Sequence, residues 1–228
     1  MISVAIDGPV GAGKSSVARA SAKRLDFIYA DTGALYRGVA LYAVRNGISE
    51  NDADFADKIS AILHEITVEL KIKEGDQRIF LCGEDVSEEI RLPEISMAAS
   101  SVSSVPSVRD FLLDLQRDIA KKNNVLMDGR DIGTVVLPDA QLKIFITASP
   151  EIRARRRFEE LINKGVETDF EQVLNDLNRR DYQDSHRTVA PLKMAEGAVL
   201  LDTSELSFEQ AVDRVVELTE TIVERNRT

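Results

Sequence analysis

The sequence predicts an α/β fold in which a central parallel sheet has helices on both faces. Short apolar runs of strand length are separated by longer segments with helical patterns. Strands that are joined through helices pair in parallel, and the helices then cover the sheet. A glycine-rich turn directly after the first strand also favours this class. The strands are predicted at 2–6, 124–128, 142–148 and 199–202.

Apolar periodicity and start signals place the helices between these strands. Pro106 opens a segment whose apolar residues recur every three or four positions, from Val108 to Ile119. The closing helix begins at a capping box formed by Ser207 and Gln210. Further helices are predicted at 14–25, 34–46, 51–66, 150–165 and 170–180.

Residues 66–81 have a different pattern. Apolar and polar residues alternate over 66–72 and again around Ile79 and Leu81, on either side of a turn at 73–77. This alternation predicts an antiparallel hairpin in a chain that is otherwise rich in helices. We therefore expect an inserted subdomain at 38–105, with 1–37 and 106–228 forming the core.

The charge balance limits the possible partners. The 228 residues include 39 acidic and 29 basic side chains, which gives a net charge of −10. This negative charge argues against binding to nucleic acid or to an anionic membrane. No apolar run is long enough to predict a membrane span, and no basic stretch precedes the first strand as in a signal peptide. Cys82 is the one cysteine of the sequence, so we expect a cytoplasmic protein without a disulfide or a structural metal.

Residues 8–15, Gly-Pro-Val-Gly-Ala-Gly-Lys-Ser, match the phosphate-binding pattern G-x-x-x-x-G-K-[ST]. The glycines allow consecutive backbone N–H groups to turn towards a phosphate, and the following helix directs its positive end at the same anion. Lys14 is expected to reach the β- and γ-phosphates, and Ser15 to bind Mg²⁺ together with the ATP phosphates. The pattern predicts a three-layer P-loop NTPase fold and an ATP site formed by Gly8, Pro9, Val10, Gly11, Ala12, Gly13, Lys14, Ser15 and Ser16.

The P-loop alone does not identify the group that receives the phosphate. A GTPase would need the guanine-reading pattern N-K-x-D, but Asn163-Lys164 is followed by Gly165-Val166. A motor or a helicase would need a longer chain and a basic nucleic-acid surface. The length of the chain indicates a small-molecule kinase.

Charged residues near two strand ends indicate where an acceptor could bind. Arg37 follows the predicted strand-to-helix junction at 31–34, and Arg130 and Asp131 follow the strand 124–128. Open sheets bind ligands beyond the carboxyl ends of their strands. Seven of the 19 arginines lie within 153–187, and the arginine fork matches phosphate oxygens. Taken singly, most of these arginines also fit a solvated helix face.

Taken together, these stretches resemble the bacterial type of cytidylate kinase over nearly the whole chain. The resemblance implies a nucleoside monophosphate kinase fold with a core, a monophosphate-binding insert at 38–105 and a short helical lid at about 150–166. It implies Mg²⁺-dependent phosphoryl transfer from ATP to CMP or dCMP, by a monomer, in pyrimidine metabolism. It is carried by 6–15, by Asp-Thr-Gly-Ala-Leu-Tyr-Arg at 31–37, by Asp-Gly-Arg-Asp-Ile-Gly-Thr at 128–134 with Val135, Val136 and Pro138, and by Arg180, Asp181, Asp184, Arg187 and Ala190-Pro191-Leu192.

The resemblance also implies a role for each matching residue. Lys14 and Arg130, with Arg156 and Arg157 of the lid, would act on the transferring phosphate. Thr32 lies in the CMP site, at a position where the family often has serine. The other CMP-binding residues would be Arg37, Arg130 and Arg187 at the acceptor phosphate, Ser100, Arg109 and Asp131 at the cytosine edge, and Arg180 and Asp184 at the ribose.

The choice of lid arginines stays open at this stage. Arg153, Arg155, Arg156 and Arg157 occupy four of five consecutive positions, and so they cannot all lie on one face of a helix.

Two alternative functions also stay open. The chain could be another small P-loop kinase, with UMP, AMP, shikimate or dephospho-coenzyme A as the acceptor. It could also be a nucleotide-binding regulator without catalytic activity, although the presence of Lys14, Ser15 and the arginines disfavours that reading.

Overall fold

The structure, a computed structural model, describes residues 1–73 and 76–226 and contains two β-sheets. The strands are β1 (Ser3–Asp7), β2 (Ile28–Asp31), β3 (Val68–Lys73), β4 (Asp76–Leu81), β5 (Glu84–Asp85), β6 (Val125–Asp128), β7 (Leu142–Thr147) and β8 (Val199–Asp202). The larger sheet has five strands in the order β2-β6-β1-β7-β8, and the smaller has three in the order β3-β4-β5.

Parallel pairing in the larger sheet confirms the predicted fold class. β1 pairs in parallel with β6 and with β7, and β7 pairs in parallel with β8. In this register Ile6 lies opposite Asp128, and Asp7 lies opposite Phe145. The carboxyl ends of β1 and β6 therefore reach the same edge of the sheet, and the P-loop follows directly after β1.

The chain divides into two compact units, the first made of Met1–Tyr29 and Lys122–Thr228. The first unit contains the helices α1 (Lys14–Leu25), α6 (Pro150–Asn163), α7 (Phe170–His186) and α8 (Phe208–Arg225), whose numbers follow chain order. Strand side chains such as Ile6 and Ile144 form one buried core with Val17 of α1 and Val215 of α8.

Local sequence signals predicted several elements of this unit correctly. The bounds predicted for α1 are confirmed, and the capping box of Ser207 and Gln210 forms at the start of α8. The helix predicted at 170–180 was too short, because α7 continues to His186 through a polar stretch that has little apolar periodicity. A single π-helical turn at Ile132–Val136 was not expected from the sequence.

The second unit, Ala30–Lys121, is built around the predicted hairpin. β3 and β4 pair antiparallel with Val68 opposite Leu81, which confirms the hairpin, although part of the predicted 73–77 turn, Glu74 and Gly75, lies outside the described residues. The helices are α2 (Thr32–Arg45), α3 (Phe55–Ile62), α4 (Pro93–Val102), α5 (Pro106–Lys122, whose last residue belongs to the first unit) and a 3₁₀ turn at Glu89–Arg91. The predicted insert at 38–105 falls inside this unit and stays a prediction.

The helix expected at 51–66 was too long. Residues before Phe55 form turns instead, in which the Ser49 amide donates to Asp52, because Asn and Asp side chains compete for backbone hydrogen bonds. The apolar core of this unit includes the fully buried Leu35, Ile59 and Leu112. Among the described residues, no helix is both long enough and apolar enough to cross a membrane.

Candidate active site

The P-loop lies between β1 and α1, as the sequence predicts. Gly8 has a φ of 148°, and a Cβ at this position would lie 1.9 Å from the carbonyl oxygen of Ile146. Gly13 caps α1 in the left-handed conformation, with a φ of 81°. Glycine at these two positions therefore allows the backbone to make a turn that other residues would block.

Lys14 lies across this loop. Its side chain is buried, and its Nζ donates to the carbonyl oxygen of Pro9 at 2.7 Å. Burial, followed by the positive charge of Arg130, lowers the pKa of Lys14 to about 7. A buried ammonium group beside another cation is favoured by an incoming anion, so the lysine is suited to bind phosphate.

Ser15, the other polar side chain of the motif, contacts the end of the neighbouring strand. Its Oγ donates to Oδ2 of Asp128 at 2.7 Å, while the Tyr29 hydroxyl donates to Oδ1 at 2.9 Å. This arrangement places a hydroxyl and a carboxylate, both hard oxygen donors, beside the phosphate loop.

Two arginine–carboxylate pairs lie beyond β6 in the same unit. Arg130 donates from Nε to Oδ2 of Asp184 at 2.8 Å, and Nη2 of Arg187 lies 3.4 Å from Oδ1 of Asp131. All four side chains are mostly buried. The structure thus joins residues from the 128–134 stretch to residues of α7 and the segment after it, which the sequence alone left far apart.

The charge of Asp184 is maintained by its neighbours. Burial acts to raise its pKa, but the charge and the hydrogen bond of Arg130 outweigh burial, and Arg187 and Arg180 act in the same direction. The pKa of Asp184 is therefore below its usual value. A carboxylate that stays ionised among three cations can orient them and accept hydrogen bonds from hydroxyl groups.

The arginines of α6 point in different directions, as their spacing requires. Arg153 is buried, donates to the carbonyl oxygens of Ala148 and Val10 at 2.9 Å each, and pairs with Asp181 at 2.6 Å. Arg156 donates to the side chain and the carbonyl oxygen of Thr203.

The two remaining arginines of this helix lie at its surface. Arg157 pairs with Glu160 at 2.7 Å, and Arg155 lies 5.9 Å from the ring centre of Phe170. The two lid arginines chosen from the resemblance, Arg156 and Arg157, therefore have quite different surroundings, because only Arg156 is tied to the segment after β8.

The second unit holds a separate group of predicted site residues. Asp31 caps α2 by accepting the amide of Ala34 at 3.1 Å, and it pairs with Arg37 at 2.7 Å. The Gln77 side chain accepts the Asp31 amide at 2.7 Å. Arg37 is thus held at the start of α2 by the carboxylate of Asp31, whose backbone is hydrogen-bonded to the hairpin.

Arg109 lies on α5 in this unit and is buried. Its Nη1 donates to the carbonyl oxygen of Ser103 at 3.0 Å, and its guanidinium lies 5.6 Å from the ring centre of Tyr36. Ser100, near the end of α4, is half-buried, and Thr32, the first residue of α2, is buried. Arg109, Ser100 and Thr32 were all expected to bind CMP, and all three belong to the second unit. Their role in binding stays a prediction.

Sequence reasoning missed several side chains that support the site. One is Asp7, which holds the turn at 132–133. The others are Tyr29, which donates to Asp128, and Asp181, which pairs with Arg153. Asp7 ends a buried strand directly before the P-loop, and a charge at such a position was a signal that could have been used. Tyr29 gave no comparable signal, and although Asp181 was named as part of the resemblance, its pairing with Arg153 was not expected, because the partners of both residues lie far away in the sequence.

A P-loop at the edge of a parallel sheet, with arginine–carboxylate pairs beyond a neighbouring strand, defines a P-loop phosphotransferase. Comparison of the sequence with known families identifies the family within this class. A family model described as cytidylate kinase matches residues 4–221. This chain belongs to the cytidylate kinase family, and the resemblance seen in the sequence is confirmed.

Similar proteins extend over nearly the full length of the chain. A cytidylate kinase of Caldanaerobacter subterraneus subsp. tengcongensis is 52% identical, over 95% of this chain and 93% of the relative. A cytidylate kinase of Caldicellulosiruptor saccharolyticus is 48% identical, over 95% of both chains. Among solved structures, an uncharacterized protein from Eubacterium ventriosum has a similar fold, with a TM-score of 0.54 and 11% identity over 96% of this chain and 99% of that one.

Proposed function

We propose that this chain transfers the γ-phosphoryl group of ATP to CMP or dCMP and forms ADP with CDP or dCDP. The observation that carries the proposal is a P-loop with a buried Lys14 whose pKa is lowered by the charge of Arg130 as well as by burial. Arg130 is in turn paired with Asp184. Membership of the cytidylate kinase family supports the choice of acceptor.

The P-loop residues 8–16 would bind the ATP phosphates through the backbone N–H groups of the residues other than Pro9 and through the Lys14 ammonium group. The lysine would leave the Pro9 carbonyl oxygen when a phosphate provides a stronger partner. An ammonium–phosphate hydrogen bond is charge-assisted, whereas the bond to a carbonyl is not. Binding of ATP would also favour the charged form of Lys14.

Mg²⁺ would accompany ATP, and the donor atoms present fit this ion. Ser15 Oγ and the Asp128 carboxylate provide hard oxygens 2.7 Å apart, and Mg²⁺ prefers such ligands together with phosphate oxygens and water. We propose that Ser15 binds the ion and that Asp128 orients the Ser15 hydroxyl. When bound, the ion supplies positive charge against the β- and γ-phosphate oxygens.

The CMP-binding residues that the resemblance implies are assigned within each unit separately. In the first unit, Arg130 and Arg187 would bind the phosphate of CMP, and Arg180 and Asp184 the ribose. Asp131 would accept a hydrogen bond from the cytosine amine. In the second unit, we propose from the resemblance that Thr32, Arg37, Ser100 and Arg109 are CMP-binding residues.

Asp131 would also explain selectivity for cytosine. Uracil presents a carbonyl oxygen where cytosine presents an amine, so a buried carboxylate would face a second acceptor. Leaving a buried polar group unpaired costs about 1–3 kcal/mol, which corresponds to roughly tenfold to a hundredfold discrimination.

The reaction needs positioning and positive charge more than a general base. Phosphoryl transfer passes through a loose transition state with negative charge on the equatorial oxygens. Lys14 and Arg130, together with Arg156 and Arg157 of the lid at about 150–166, would offset that charge. The phosphate of CMP is already an anionic nucleophile, so no side chain has to remove a proton from it.

The cellular setting is proposed from the resemblance and the composition. We propose a cytoplasmic monomer in which 38–105 act as the monophosphate-binding insert and 1–37 with 106–228 as the core. Its partners would be small molecules alone, ATP and CMP or dCMP, in pyrimidine metabolism.

The test is a coupled assay of ADP release from Mg·ATP with CMP, dCMP, UMP, AMP, GMP and shikimate as acceptors. Turnover confined to CMP and dCMP is expected. Turnover with a different acceptor would keep the P-loop kinase but contradict the roles of Ser100, Arg109 and Asp131. If the protein binds ATP but turns over none of these acceptors, the chain is a nucleotide-binding regulator instead.

A further inference from the structure

Asp7, the last residue of β1, is a buried carboxylate directly before the P-loop. Its Oδ1 accepts the backbone N–H of Ile132, and its Oδ2 accepts that of Gly133, each at 2.8 Å. One carboxylate therefore holds two consecutive amides of a segment that lies more than a hundred residues further along the chain. Both hydrogen bonds are charge-assisted and buried.

The two amides follow Arg130 and Asp131 directly. Ile132 opens the π-helical turn, and N–H groups at the start of a helical segment have no partner within it. Asp7 provides those partners. The turn also fixes the backbone of Asp131, because the Asp131 carbonyl oxygen accepts the amide of Val135 at 2.9 Å.

Close packing leaves little freedom at this contact. A Cβ on Gly133 would lie 3.2 Å from Cβ of Ala195, 3.3 Å from Cδ of Lys143 and 3.4 Å from Oδ2 of Asp7. Neighbours this close would have to shift to admit even a methyl group. The 130–133 segment is thus fixed by side-chain packing and by the Asp7 carboxylate together.

Charged residues from three elements lie near this contact. Burial raises the pKa of Asp7 to about 6, and the amides of Gly133 and Ile132 act against burial. Asp131 in the turn raises the pKa, Lys14 on α1 lowers it, and Lys143 on β7 lies against Gly133. At neutral pH the carboxylate is mostly ionised and can accept both amides.

We propose that Asp7 is a positioning residue for the acceptor. By holding the Ile132 and Gly133 amides it sets the direction in which Arg130 and Asp131 present their side chains to CMP. Its removal would weaken CMP binding and cytosine selectivity more than ATP binding. This inference rests on the proposed function, because it uses the proposed roles of Arg130 and Asp131.

The variant Asp7→Asn tests it with little change of volume. The amide oxygen can still accept one N–H, but the NH₂ group then faces the other N–H, so one buried donor loses its acceptor. Loss of such a bond corresponds to roughly a tenfold effect. We expect the Kd and KM for CMP to rise about tenfold and the CMP-to-UMP preference to fall, while the Kd for Mg·ATP changes less than twofold.

Ser21→Ala is the matched control. Ser21 lies fully buried on α1, and its Oγ has no hydrogen-bond partner in the described part of the chain, so its loss should leave both substrates unaffected. Equal weakening of CMP and ATP binding by Asp7→Asn would contradict a positioning role. An unchanged CMP affinity would contradict it as well. If wild-type protein does not phosphorylate CMP, the proposed function itself fails, and this inference fails with it.

A second measurement uses wild-type protein, in case Asp7→Asn does not fold. We expect the amide proton resonances of Ile132 and Gly133 to titrate together as Asp7 ionises, well above the usual range of an aspartate. CMP affinity should fall as the pH is lowered through the same range, because protonated Asp7 can no longer accept both amides; the separately measured titration of CMP's own phosphate is divided out first. If the two resonances titrate and CMP affinity does not follow, Asp7 holds the turn without positioning the acceptor residues, and the inference is wrong.

Discussion

Charged side chains are held in opposite ways in the two units of this molecule. In the first unit, burial shifts two groups towards their neutral forms: it raises the pKa of Asp7 to about 6 and lowers that of Lys14 to about 7. In the second unit, an exposed network favours the charged forms. Arg45 donates to both Glu84 and Glu89, and hydrogen bonds from Ser87 and Arg78 lower the pKa of Asp85 to about 2.

The difference separates charges kept for binding from charges kept for stability. A buried group whose pKa moves towards neutrality makes the folded state less stable at the pH where it is ionised. The exposed network has the opposite sign and stabilises the fold. Lys14 would gain a favourable partner when a phosphate binds, which is the usual trade between activity and stability.

The largest effect is expected from Lys14→Met, which tests whether the buried charge of Lys14 serves activity at a cost in stability. Methionine fills a similar volume without a buried amine, so the free protein should become more stable. Loss of a charge aimed at the transferring phosphate lowers kcat by roughly 10²–10³ or more. Steady-state kinetics with CMP and thermal unfolding with and without Mg·ATP measure both effects.

Lys23→Met is the control for that experiment, because Lys23 is an exposed lysine on the same helix, α1, but outside the P-loop. It should leave kcat within about twofold of wild type, as expected for a residue that does not touch substrate. Wild-type turnover in Lys14→Met would remove Lys14 from the catalytic role. A large loss of stability in that variant would contradict the stability cost assigned to the lysine.

Asp131→Ala should have the next largest effect, on selectivity. Without the carboxylate, the preference for CMP over UMP should fall by roughly tenfold to a hundredfold, since a buried hydrogen bond to the base is lost. The KM for ATP should stay close to wild type. Competition between CMP and UMP in one reaction measures the ratio directly, with the exposed Asp139→Ala as the control. An unchanged ratio would show that Asp131 does not read the base.

The parts of the molecule that sequence reasoning predicted best are those with local signals. The P-loop, α1, the hairpin and the capping box of α8 each follow from residues within about a dozen positions of one another. The supports of the site were missed because they join distant residues. Asp7 to Gly133 and Arg153 to Val10 are contacts that only the folded sheet creates.

The α4 helix shows a second kind of failure. Pro93 at its first turn was a usable signal, but Ser100, Ser101 and Ser103 follow within and beside it, and serine gives little preference for helix. Packing of the buried Ile95 and Val102 stabilises the helix instead. Tertiary burial therefore decided an element that local propensity left open.

A smaller effect, on stability alone, follows from the raised pKa of Asp7. In wild type this group destabilises the fold progressively as the pH rises from about 4 to about 6, because the unfolded chain ionises first. The full difference is roughly 3 kcal/mol. Asp7→Asn removes this titration. As the pH rises over the same range, the free energy of unfolding should therefore fall less in the variant than in wild type. Urea unfolding at half-unit pH steps tests this, and parallel curves for the two proteins would contradict it.

The smallest effect is expected from Arg45→Gln, which tests the other half of the comparison. Loss of an exposed network should lower the Tm by about 2 °C, without changing the KM for CMP or ATP. The difference should shrink in 1 M salt, where exposed charges are screened. Arg214→Gln is the matched control, because Arg214 is an exposed arginine paired at 2.6 Å with Glu217 on the same helix, and its loss should matter less. A kinetic change in Arg45→Gln would show that the surface network also serves binding, and the division between charges for stability and charges for activity would no longer hold.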